Sequence, residues 1–253
     1  MTLAARAPWY PDVRRRARDW VRARPVAYLV FRVLKYGPFM GYRRQGVRRR
    51  LLERSARDGW RVLNLGSGGR PESAAINLDV TCATGPDVVA DGYRLPFADG
   101  TFDAVFCEYV IEHVEDPDGF LRSARRVLKP NGRIYLEAPF LQPLHGKGGD
   151  YTRWTRPGFA AFAERAGLTL EDSGIHAGPA FTLFWIVKDL LADLLSLGRR
   201  PLRSILRYVL SWILAPVLLL DLVLMRLPQA EVLANGFYFV AVPCRDDEAR
   251  EVG

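Results

Sequence analysis

A short apolar run that ends in clustered glycines is the feature of this sequence that most constrains its fold. Residues 60–65 form the mostly apolar run that is typical of a strand buried within a parallel sheet. Gly66, Gly68 and Gly69 follow it directly. Because glycine has no Cβ, such a turn can adopt positive φ and bring bare backbone N–H groups against a ligand. The sequence therefore predicts a ligand site at the end of a first strand.

Strand-like and helix-like segments alternate along the rest of the chain, which is the pattern of a parallel sheet with helices on both faces. Helices are predicted after Asp116, an N-cap residue followed by proline, and after Thr155. The later strands are predicted at residues 76–80, 87–90, 104–107, 133–137, 168–175 and 236–243. We therefore predict a doubly wound α/β fold, a Rossmann-like and mostly parallel seven-stranded sheet with an antiparallel last strand and a helical insertion before it. The predicted units are a basic leader (1–58), a core (59–177), the insertion (178–234) and the last strand with a charged tail (235–253).

Two connections carry more detailed predictions. Only ten residues, 66–75, separate the first two strands, which is fewer than a parallel crossover normally needs. If these strands are neighbours, the helix between them must be a single turn near Pro71–Ala75. The run Lys129-Pro130-Asn131-Gly132 is predicted to end the helix that starts after Asp116 and to separate it from the fifth strand.

Acidic residues follow the predicted strands at the same edge of the sheet as the glycines. Asp79, Asp91 and Glu108 end the second, third and fourth strands, and a loop over residues 139–150 follows the fifth. The carboxyl ends of parallel strands meet at one edge, and ligands bind there. A carboxylate after the second strand can accept both hydroxyls of a ribose, and one after the third can accept an exocyclic adenine amine. This edge is therefore predicted to bind a nucleoside.

The order of these motifs resembles that of class I S-adenosylmethionine-dependent methyltransferases, in particular the group that acts on small molecules. The resemblance covers about residues 60–175 and the last strand. It is carried by Asn64-Leu65-Gly66-Ser67-Gly68-Gly69, Asn77-Leu78-Asp79, Asp91 with Leu95-Pro96-Phe97, Phe102-Asp103 and Ile111-Glu112-His113-Val114. The resemblance implies S-adenosyl-L-methionine as the cofactor, and it implies as cofactor-binding residues Asn64, Gly66, Ser67, Gly68, Asp79, Asp91, Gly92, Glu108 and Tyr109.

The resemblance also implies which part of the cofactor each of these residues contacts. The glycine turn would cradle the methionine part of the cofactor, Asp79 the ribose and Asp91 the adenine edge. Glu108 and Tyr109 would border the sulfonium. Methyl transfer from a sulfonium is an in-line displacement of an activated donor, so the enzyme mainly positions the nucleophile and removes its proton.

Two positions depart from the family pattern and keep other functions open. Asn64 stands where an acid usually opens the glycine motif, and Arg70 stands where a third glycine is usual. One alternative is a catalytically degenerate cofactor-binding protein that acts as a membrane or RNA adaptor. The other is an NAD-dependent oxidoreductase, which shares the glycine-rich turn but has a glycine where Arg70 stands.

The loop after the fifth strand carries the residues predicted to act on the methyl acceptor. We predict His145 as the general base and Asp150 as the carboxylate that orients its imidazole. Tyr151 and Arg153 are predicted to bind the acceptor. The alternative for His145 is a role in loop structure or in acceptor binding, and His113 is predicted to be a packing residue.

The basic character of the chain is concentrated in its first 58 residues. They contain 15 Arg, one Lys and four acidic residues, a formal charge of +12 in a chain whose total is +8. Arginines mixed with aromatic residues suit an anionic membrane surface or a nucleic-acid backbone, and a solvated helical face is the third interpretation. We favour the membrane surface over nucleic acid as the partner.

The insertion at residues 178–234 replaces what is normally a short hairpin in this fold. Its uncharged run, residues 208–220, falls short of the ~18–20 residues that span a bilayer. The alternatives are a lid over an apolar acceptor, a monotopic membrane anchor and the face of a homodimer, and we favour lid or anchor. The function predicted is therefore methyl transfer to a small or lipid-like acceptor, at oxygen.

Cysteine usage indicates the compartment. Cys82, Cys107 and Cys244 are widely spaced and form neither a disulfide framework nor a zinc pattern, and no metal site is predicted. A reducing compartment fits this usage best, and we predict a cytoplasmic protein that is peripheral at the inner face of the membrane through its basic leader and its insertion. Arg32 and Lys35 interrupt the apolar run near the start, so no secretory signal is predicted.

Overall fold

The computed structural model describes residues 46–68, 70–145 and 149–244. Most of the predicted leader therefore lies outside the described residues, as do Gly69 and the charged tail. The end of the leader is the exception, because it forms the first described helix, α1 (Gly46–Arg57).

A single sheet of seven strands forms the centre of the described part. Its members are β1 (Val62–Leu65), β2 (Ile76–Asp79), β3 (Val88–Val89), β4 (Phe102–Glu108), β5 (Leu128–Pro139), β6 (Leu168–Ala177) and β7 (Gly236–Pro243). Their order is β3-β2-β1-β4-β5-β7-β6. Strands β1 to β5 pair in parallel, whereas β7 is antiparallel to both β5 and β6. The predicted fold class is therefore confirmed, including its antiparallel last strand.

Helices and 3₁₀ turns connect these strands. The α-helices are α2 (Pro117–Val127), α3 (Arg156–Arg165), α4 (Pro179–Ser196), α5 (Arg200–Ile213) and α6 (Asp221–Leu224). The 3₁₀ turns are Cys82–Thr84, Ile111–His113, Ala215–Leu220 and Pro228–Leu233. Both predicted caps are present: the Asp116 carboxylate accepts from the Gly119 N–H at the start of α2, and the Thr155 hydroxyl accepts from the Gly158 N–H at the start of α3.

The connection between β1 and β2 differs from the prediction. The two strands are parallel neighbours, and Pro71–Ala75 contains one turn, in which the Ala75 N–H donates to the Glu72 carbonyl at 3.2 Å, but no helix. The Asn77 side chain holds this segment instead: its oxygen accepts from the Glu72 N–H at 2.7 Å, and its amide donates to the carbonyls of Glu72 and Ala75 at 3.1 Å each. One side chain thus satisfies the backbone groups that a helix would have paired internally.

The start of β5 also differs from the prediction. Lys129–Gly132 was predicted to separate α2 from the strand, but α2 ends at Val127 and β5 begins at once with Leu128. Leu128 pairs with Phe102, and the register then shifts before the rest of the two strands pair. The Lys129 ammonium lies 2.7 Å from the Asp103 carboxylate on β4, so an ion pair ties this extension to its neighbour.

Two apolar layers cover the faces of the sheet. Alternation along β1 sends Leu63 into the larger core with α2 and α3, and Val62 into a smaller core on the other face. Helix α1 packs Val47 and Leu51 against that smaller core. The end of the leader is therefore part of the packed structure, and it brings Arg48 towards the carboxyl edge of β4.

The insertion consists of the hairpin formed by α4 and α5, followed by short helical turns. The buried Asp221 carboxylate accepts from the backbone N–H groups of Ala180 and Phe181 and so caps the start of α4. No single described helix is long and apolar enough to cross a membrane. Arg200–Ile213 and Ala215–Leu224, which are bent by 46° relative to each other, meet that length and composition only as a pair.

Candidate active site

The glycine turn after β1 has the backbone conformation that its sequence predicts. Gly66 and Gly68 have φ of +72° and +50°. The N–H groups of Gly66 and Ser67 both donate to the Leu78 carbonyl at the end of β2 at 2.9 Å. A Cβ added at Gly66 would lie 2.3 Å from Cγ2 of Val110, so only glycine fits there.

The turn is open beside Gly68. Within the described part of the chain, a Cβ added at this residue would meet no atom closer than the Gly66 carbonyl oxygen, at 4.0 Å. The Ser67 hydroxyl is buried and has no hydrogen-bond partner among the described residues. A buried unpaired hydroxyl at the rim of an open turn is expected where a ligand supplies the missing hydrogen bond.

Gly66→Ala is expected to lower the free energy of unfolding by about 2–4 kcal/mol, because it adds the cost of positive φ to a clash with a stiff Val110 side chain. Urea denaturation measures this change. Gly100→Ala is the matched control, since Gly100 has φ of +63° and no atom of residues 46–68, 70–145 or 149–244 lies within 4 Å of an added Cβ. The control is expected to lose only about 1 kcal/mol. Equal losses in both variants would contradict the contact with Val110. Adding Val110→Ala to Gly66→Ala is expected to recover only the part of the stability loss that the clash causes.

Asp79 joins the glycine turn to the end of β2. Its side chain is 8% exposed; one carboxylate oxygen accepts from the Gly68 N–H at 2.7 Å and the other from the Thr81 N–H at 3.0 Å. A carboxylate offers about four lone-pair sites, so two stay open for hydroxyl donors. Asp79 can therefore brace the turn and accept from a ribose at the same time.

Asn64 is part of a buried amide network. Its amide donates to the Arg70 carbonyl at 3.1 Å and to the Asn77 side-chain oxygen at 2.9 Å. Asn77 in turn donates to the Asp87 carboxylate, and the hydrogen bonds from its backbone and side chain lower the pKa of Asp87. The uncharged amide at position 64 thus fixes the backbone at Arg70, an arrangement that sequence reasoning missed.

The end of β3 carries Asp91 and Gly92. The Asp91 carboxylate accepts from the Tyr93 N–H at 2.9 Å. A Cβ added at Gly92 would lie 2.3 Å from the Phe120 ring, so this glycine allows α2 to approach the loop closely. Packing against α2 explains why residue 92 is glycine, and its predicted cofactor contact stays a prediction.

The end of β4 has a partner that the sequence did not indicate. The Glu108 carboxylate accepts from the Arg48 guanidinium on α1, and the same guanidinium lies 3.1 Å from the Glu72 carboxylate. Tyr109 follows with φ of +55°, a strained value for a tyrosine that turns the chain at the edge of the sheet. The predicted residue Glu108, with Tyr109 next to it, thus pairs with the guanidinium of Arg48, which lies 60 residues earlier in the sequence.

The loop after β5 brings His145 and Asp150 together. The Asp150 carboxylate accepts from the His145 backbone N–H at 2.9 Å and lies 3.4 Å from the imidazole Nδ1. The Arg153 guanidinium donates to both oxygens of Asp150, which lowers the pKa of that carboxyl to about 2. Asp150 is therefore an anion throughout the physiological range and holds the His145 segment in place.

His145 also faces a second, fully buried carboxylate. Its Nε2 lies 3.7 Å from Oε1 of Glu112, and the pKa of the imidazole is raised by Glu112 first, while burial opposes the shift. The Trp185 ring of α4 lies 6.1 Å from the imidazole ring, so the insertion reaches the same site. Neither Glu112 nor Trp185 was among the predicted site residues, because their approach depends on packing across long sequence separations.

Tyr151 and Arg153 have contacts within the loop region. The Tyr151 hydroxyl donates to the Glu115 carboxylate at 2.9 Å. Arg153 donates to the carbonyls of Gln142 and Thr152 as well as to Asp150, so it organises the loop. Their predicted contact with the acceptor stays a prediction.

The chain is similar to known methyltransferases. A family model described as a methyltransferase domain matches residues 71–136. The ubiquinone biosynthesis O-methyltransferase of Pseudomonas aeruginosa is 28% identical over 160 residues, which cover 47% of this chain and 69% of that protein. The enzyme of the same name from Acinetobacter baylyi is 28% identical over 164 residues, with coverages of 55% and 67%.

Two further matches complete the comparison. The demethylmenaquinone methyltransferase of Corynebacterium efficiens is 46% identical over 59 residues, which cover 23% of this chain and 25% of that protein. Among solved structures, the 1,6-didemethyltoxoflavin-N1-methyltransferase of Burkholderia thailandensis is similar over 97% of this chain and 94% of its own, at 14% identity and a TM-score of 0.47. The methyltransferase-domain match over residues 71–136, together with the strand order and the glycine turn braced by Asp79, supports an S-adenosylmethionine-dependent methyltransferase that acts on small-molecule acceptors.

Proposed function

We propose that this enzyme methylates an oxygen atom of an apolar, lipid-like small molecule. The observation that carries the proposal is the position of His145: its imidazole lies between the Asp150 and Glu112 carboxylates and beside Trp185 of the apolar insertion. An imidazole so placed suits removal of a hydroxyl proton, and an aromatic wall suits an apolar acceptor.

The cofactor residues are proposed from the geometry of the glycine edge. Gly68 and Ser67 offer the open turn and an unpaired hydroxyl for the methionine part, and Asp79 keeps open lone pairs for the ribose. Asp91 is proposed to contact the adenine edge, with Asn64, Gly66, Gly92, Glu108 and Tyr109 completing the site. When bound, S-adenosylmethionine supplies a methyl group that its sulfonium already activates, so the chain itself has to position the acceptor and handle its proton.

The acceptor residues are proposed from the loop after β5. His145 activates the acceptor hydroxyl, and Asp150 is a positioning residue that holds the imidazole through its backbone and its Nδ1 side. Tyr151 and Arg153 are proposed to line the acceptor side of this loop. The curated relatives from Pseudomonas and Acinetobacter are named as O-methyltransferases, which supports oxygen as the methylated atom.

Calorimetry and a labelled-donor screen test this function. S-adenosylmethionine and S-adenosylhomocysteine are expected to bind the full-length protein, while NAD is expected to release no heat. With methyl-labelled donor and a lipid extract, label is expected in the organic phase after partition. Binding without transfer to any acceptor would favour the degenerate adaptor, and label found only in the aqueous phase would contradict an apolar acceptor.

We also propose that the insertion contacts the inner face of an anionic membrane. Large apolar side chains are exposed along α4, α5 and the turns after them; at the hairpin between α4 and α5 they include Leu194, Leu195 and Leu197. Arg199 and Arg200 follow this apolar tip directly. Apolar tips next to arginines suit burial at the headgroup boundary of an anionic bilayer.

Leu197 gives this proposal a sharp test. The residue is 84% exposed and has φ of +49°, so it combines backbone strain with an apolar side chain in water. Leu197→Gly is expected to raise the free energy of unfolding by about 1 kcal/mol, because glycine adopts this conformation without the Cβ penalty. The same variant is expected to weaken binding to phosphatidylglycerol-rich vesicles, measured by co-sedimentation.

The matched control is Val89→Gly, which removes an exposed apolar side chain from β3, the edge strand at the far side of the sheet from β6. It is expected to leave vesicle binding unchanged. Equal binding of the two variants, or equal binding of the wild type to phosphatidylcholine and phosphatidylglycerol vesicles, would contradict the proposed contact. A concentration-dependent dimer that Leu197→Gly dissociates would instead assign this surface to a homodimer.

A further inference from the structure

We propose that Glu112, His113 and His145 form a binding site for a divalent transition-metal ion. One ligand atom from each residue lies within 4.8 Å of the other two. Glu112 and His113 belong to the 3₁₀ turn after β4, and His145 comes from the loop after β5. The site is thus assembled at the carboxyl edge of two neighbouring strands.

The Glu112 carboxylate is the first argument for this site. Its side chain is 0% exposed, and neither of its oxygens has a hydrogen-bond partner among the described residues. An ionised carboxylate without hydrogen bonds or a close cation costs several kcal/mol when it is buried. Among the described residues, the side chains that approach it are the two imidazoles, whose Nε2 atoms lie 3.7 Å (His145) and 3.8 Å (His113) from the same oxygen, too far for hydrogen bonds. A cation between these three atoms would remove that cost.

The orientation of both imidazoles is the second argument. His113 Nδ1 lies 2.7 Å from the Gly149 carbonyl oxygen. On His145, Nδ1 lies 3.3 Å from the Pro143 carbonyl oxygen and 3.4 Å from the Asp150 carboxylate. Metal-binding histidines typically donate one ring N–H to a carbonyl or carboxylate and coordinate through the other nitrogen. Both rings here place oxygen acceptors at Nδ1 and point Nε2 at Glu112.

The distances fit a small first-row ion. Such ions bind imidazole nitrogen and carboxylate oxygen at about 2.0–2.2 Å, which sets their ligand atoms about 3–3.5 Å apart. The two nitrogen–oxygen distances to Glu112, 3.7 and 3.8 Å, exceed this spacing by a few tenths of an ångström. The side-chain nitrogen of Gln142 lies 3.2 Å from His145 Nε2, and its own oxygen is buried without a partner among the described residues. Rotation of this amide would turn its oxygen towards His145 Nε2.

The ligand set indicates the class of ion and a use for it. Two imidazoles with one carboxylate suit Zn²⁺, Fe²⁺, Co²⁺ or Ni²⁺ better than Mg²⁺ or Ca²⁺, which prefer oxygen ligands throughout. Three protein ligands leave positions for a further group, as in catalytic sites. The use rests on the proposed function: an acceptor hydroxyl bound to the ion would lose its proton to solvent water more easily, and His145, whose Nε2 lone pair the ion would occupy, would then act as a ligand of the ion in place of the general base.

Cobalt titration of the chelator-treated, full-length protein tests the site without cofactor or acceptor. Co²⁺ is expected to bind at one equivalent with visible d–d absorption, and Zn²⁺ is expected to displace it. Glu112→Gln and His113→Ala are expected to weaken Co²⁺ binding at least about 100-fold, while Glu115→Gln, which changes an exposed carboxylate three residues away, binds as the wild type does. Far-UV circular dichroism checks that each variant is folded. If Glu112→Gln does not fold, Asp150→Asn is measured in its place, and its affinity for Co²⁺ is expected to be about 10- to 100-fold lower than that of the wild type.

The failures of the two proposals are distinguishable. Absence of a cobalt spectrum in the folded wild type, or a spectrum that Glu112→Gln leaves intact, overturns the metal site and assigns the cluster to a direct pair between a protonated His145 and Glu112. Full methyl transfer in the presence of chelator overturns the use of the ion in catalysis, even where cobalt binds. Cobalt binding in a protein that never transfers methyl groups overturns the proposed acceptor chemistry but keeps the metal site.

Discussion

His145→Ala is expected to lower kcat for methyl transfer by about 10²–10⁴-fold, because it removes the group proposed to activate the acceptor hydroxyl. The affinity for S-adenosylmethionine is expected to stay close to the wild-type value. The reason is geometric: His145 lies on the loop after β5, while the glycine turn and Asp79 lie at the ends of β1 and β2. Single-turnover transfer from labelled donor gives the rate, and calorimetry gives the affinity.

Leu144→Ala is the matched control for this variant. Leu144 is the neighbouring residue in the same loop and is exposed, so its truncation changes the loop without touching the Asp150 or Glu112 side of the site. It is expected to leave kcat within about twofold, as is usual for surface substitutions. Wild-type turnover by His145→Ala would show that the imidazole has only a structural role, and equal losses in the two variants would assign the effect to loop disorder.

Asp79→Ala is expected to weaken S-adenosylmethionine binding by about 10²–10⁴-fold. The carboxylate is proposed to accept two ribose hydroxyls, and hydrogen bonds to a charged group contribute about 1.5–3 kcal/mol each. The same change leaves the N–H groups of Gly68 and Thr81 without their acceptor, so the turn loses its brace as well. Calorimetric titration with S-adenosylmethionine and S-adenosylhomocysteine measures the affinity, and urea denaturation measures the stability.

Asp221→Ala is the control that separates the loss of cofactor affinity from the loss of stability. Asp221 also accepts from two backbone N–H groups, those of Ala180 and Phe181, but it does so at the start of α4 in the insertion. Both variants are expected to lose about 2–4 kcal/mol of stability, since each leaves two donors unpaired. Only Asp79→Ala is expected to lose cofactor affinity. A similar loss of affinity in Asp221→Ala would mean that the cofactor site responds to stability alone.

Strand segments and helix caps were predictable from the sequence because they depend on neighbouring residues. The alternation of buried and exposed positions, the cap at Asp116 and the turn at Gly66 all arise within a few residues of chain. The order of glycines and acids placed Gly68 and Asp79 at one edge, and the structure joins them by a hydrogen bond. The two local errors, at Pro71–Ala75 and Lys129–Gly132, occur where a side chain from a neighbouring strand or turn replaces the expected backbone pattern.

The contacts that complete the candidate site were beyond sequence reasoning. Arg48 reaches Glu108 across 60 residues because α1 packs on the smaller core. His145 meets Glu112 because the loop after β5 folds over the turn after β4, and Trp185 arrives only because α4 packs against that loop. No spacing along the chain encodes these distances.

By itself, the sequence determined the class of fold, the glycine turn, and the acids that follow the strands at the carboxyl edge of the sheet. Only the tertiary structure decided that Glu112 is sealed from water with two imidazoles pointed at it, and that a strained leucine stands exposed at the tip of the insertion. The physical reason is that backbone preference acts over a few residues, whereas desolvation of a charge depends on every segment that packs around it.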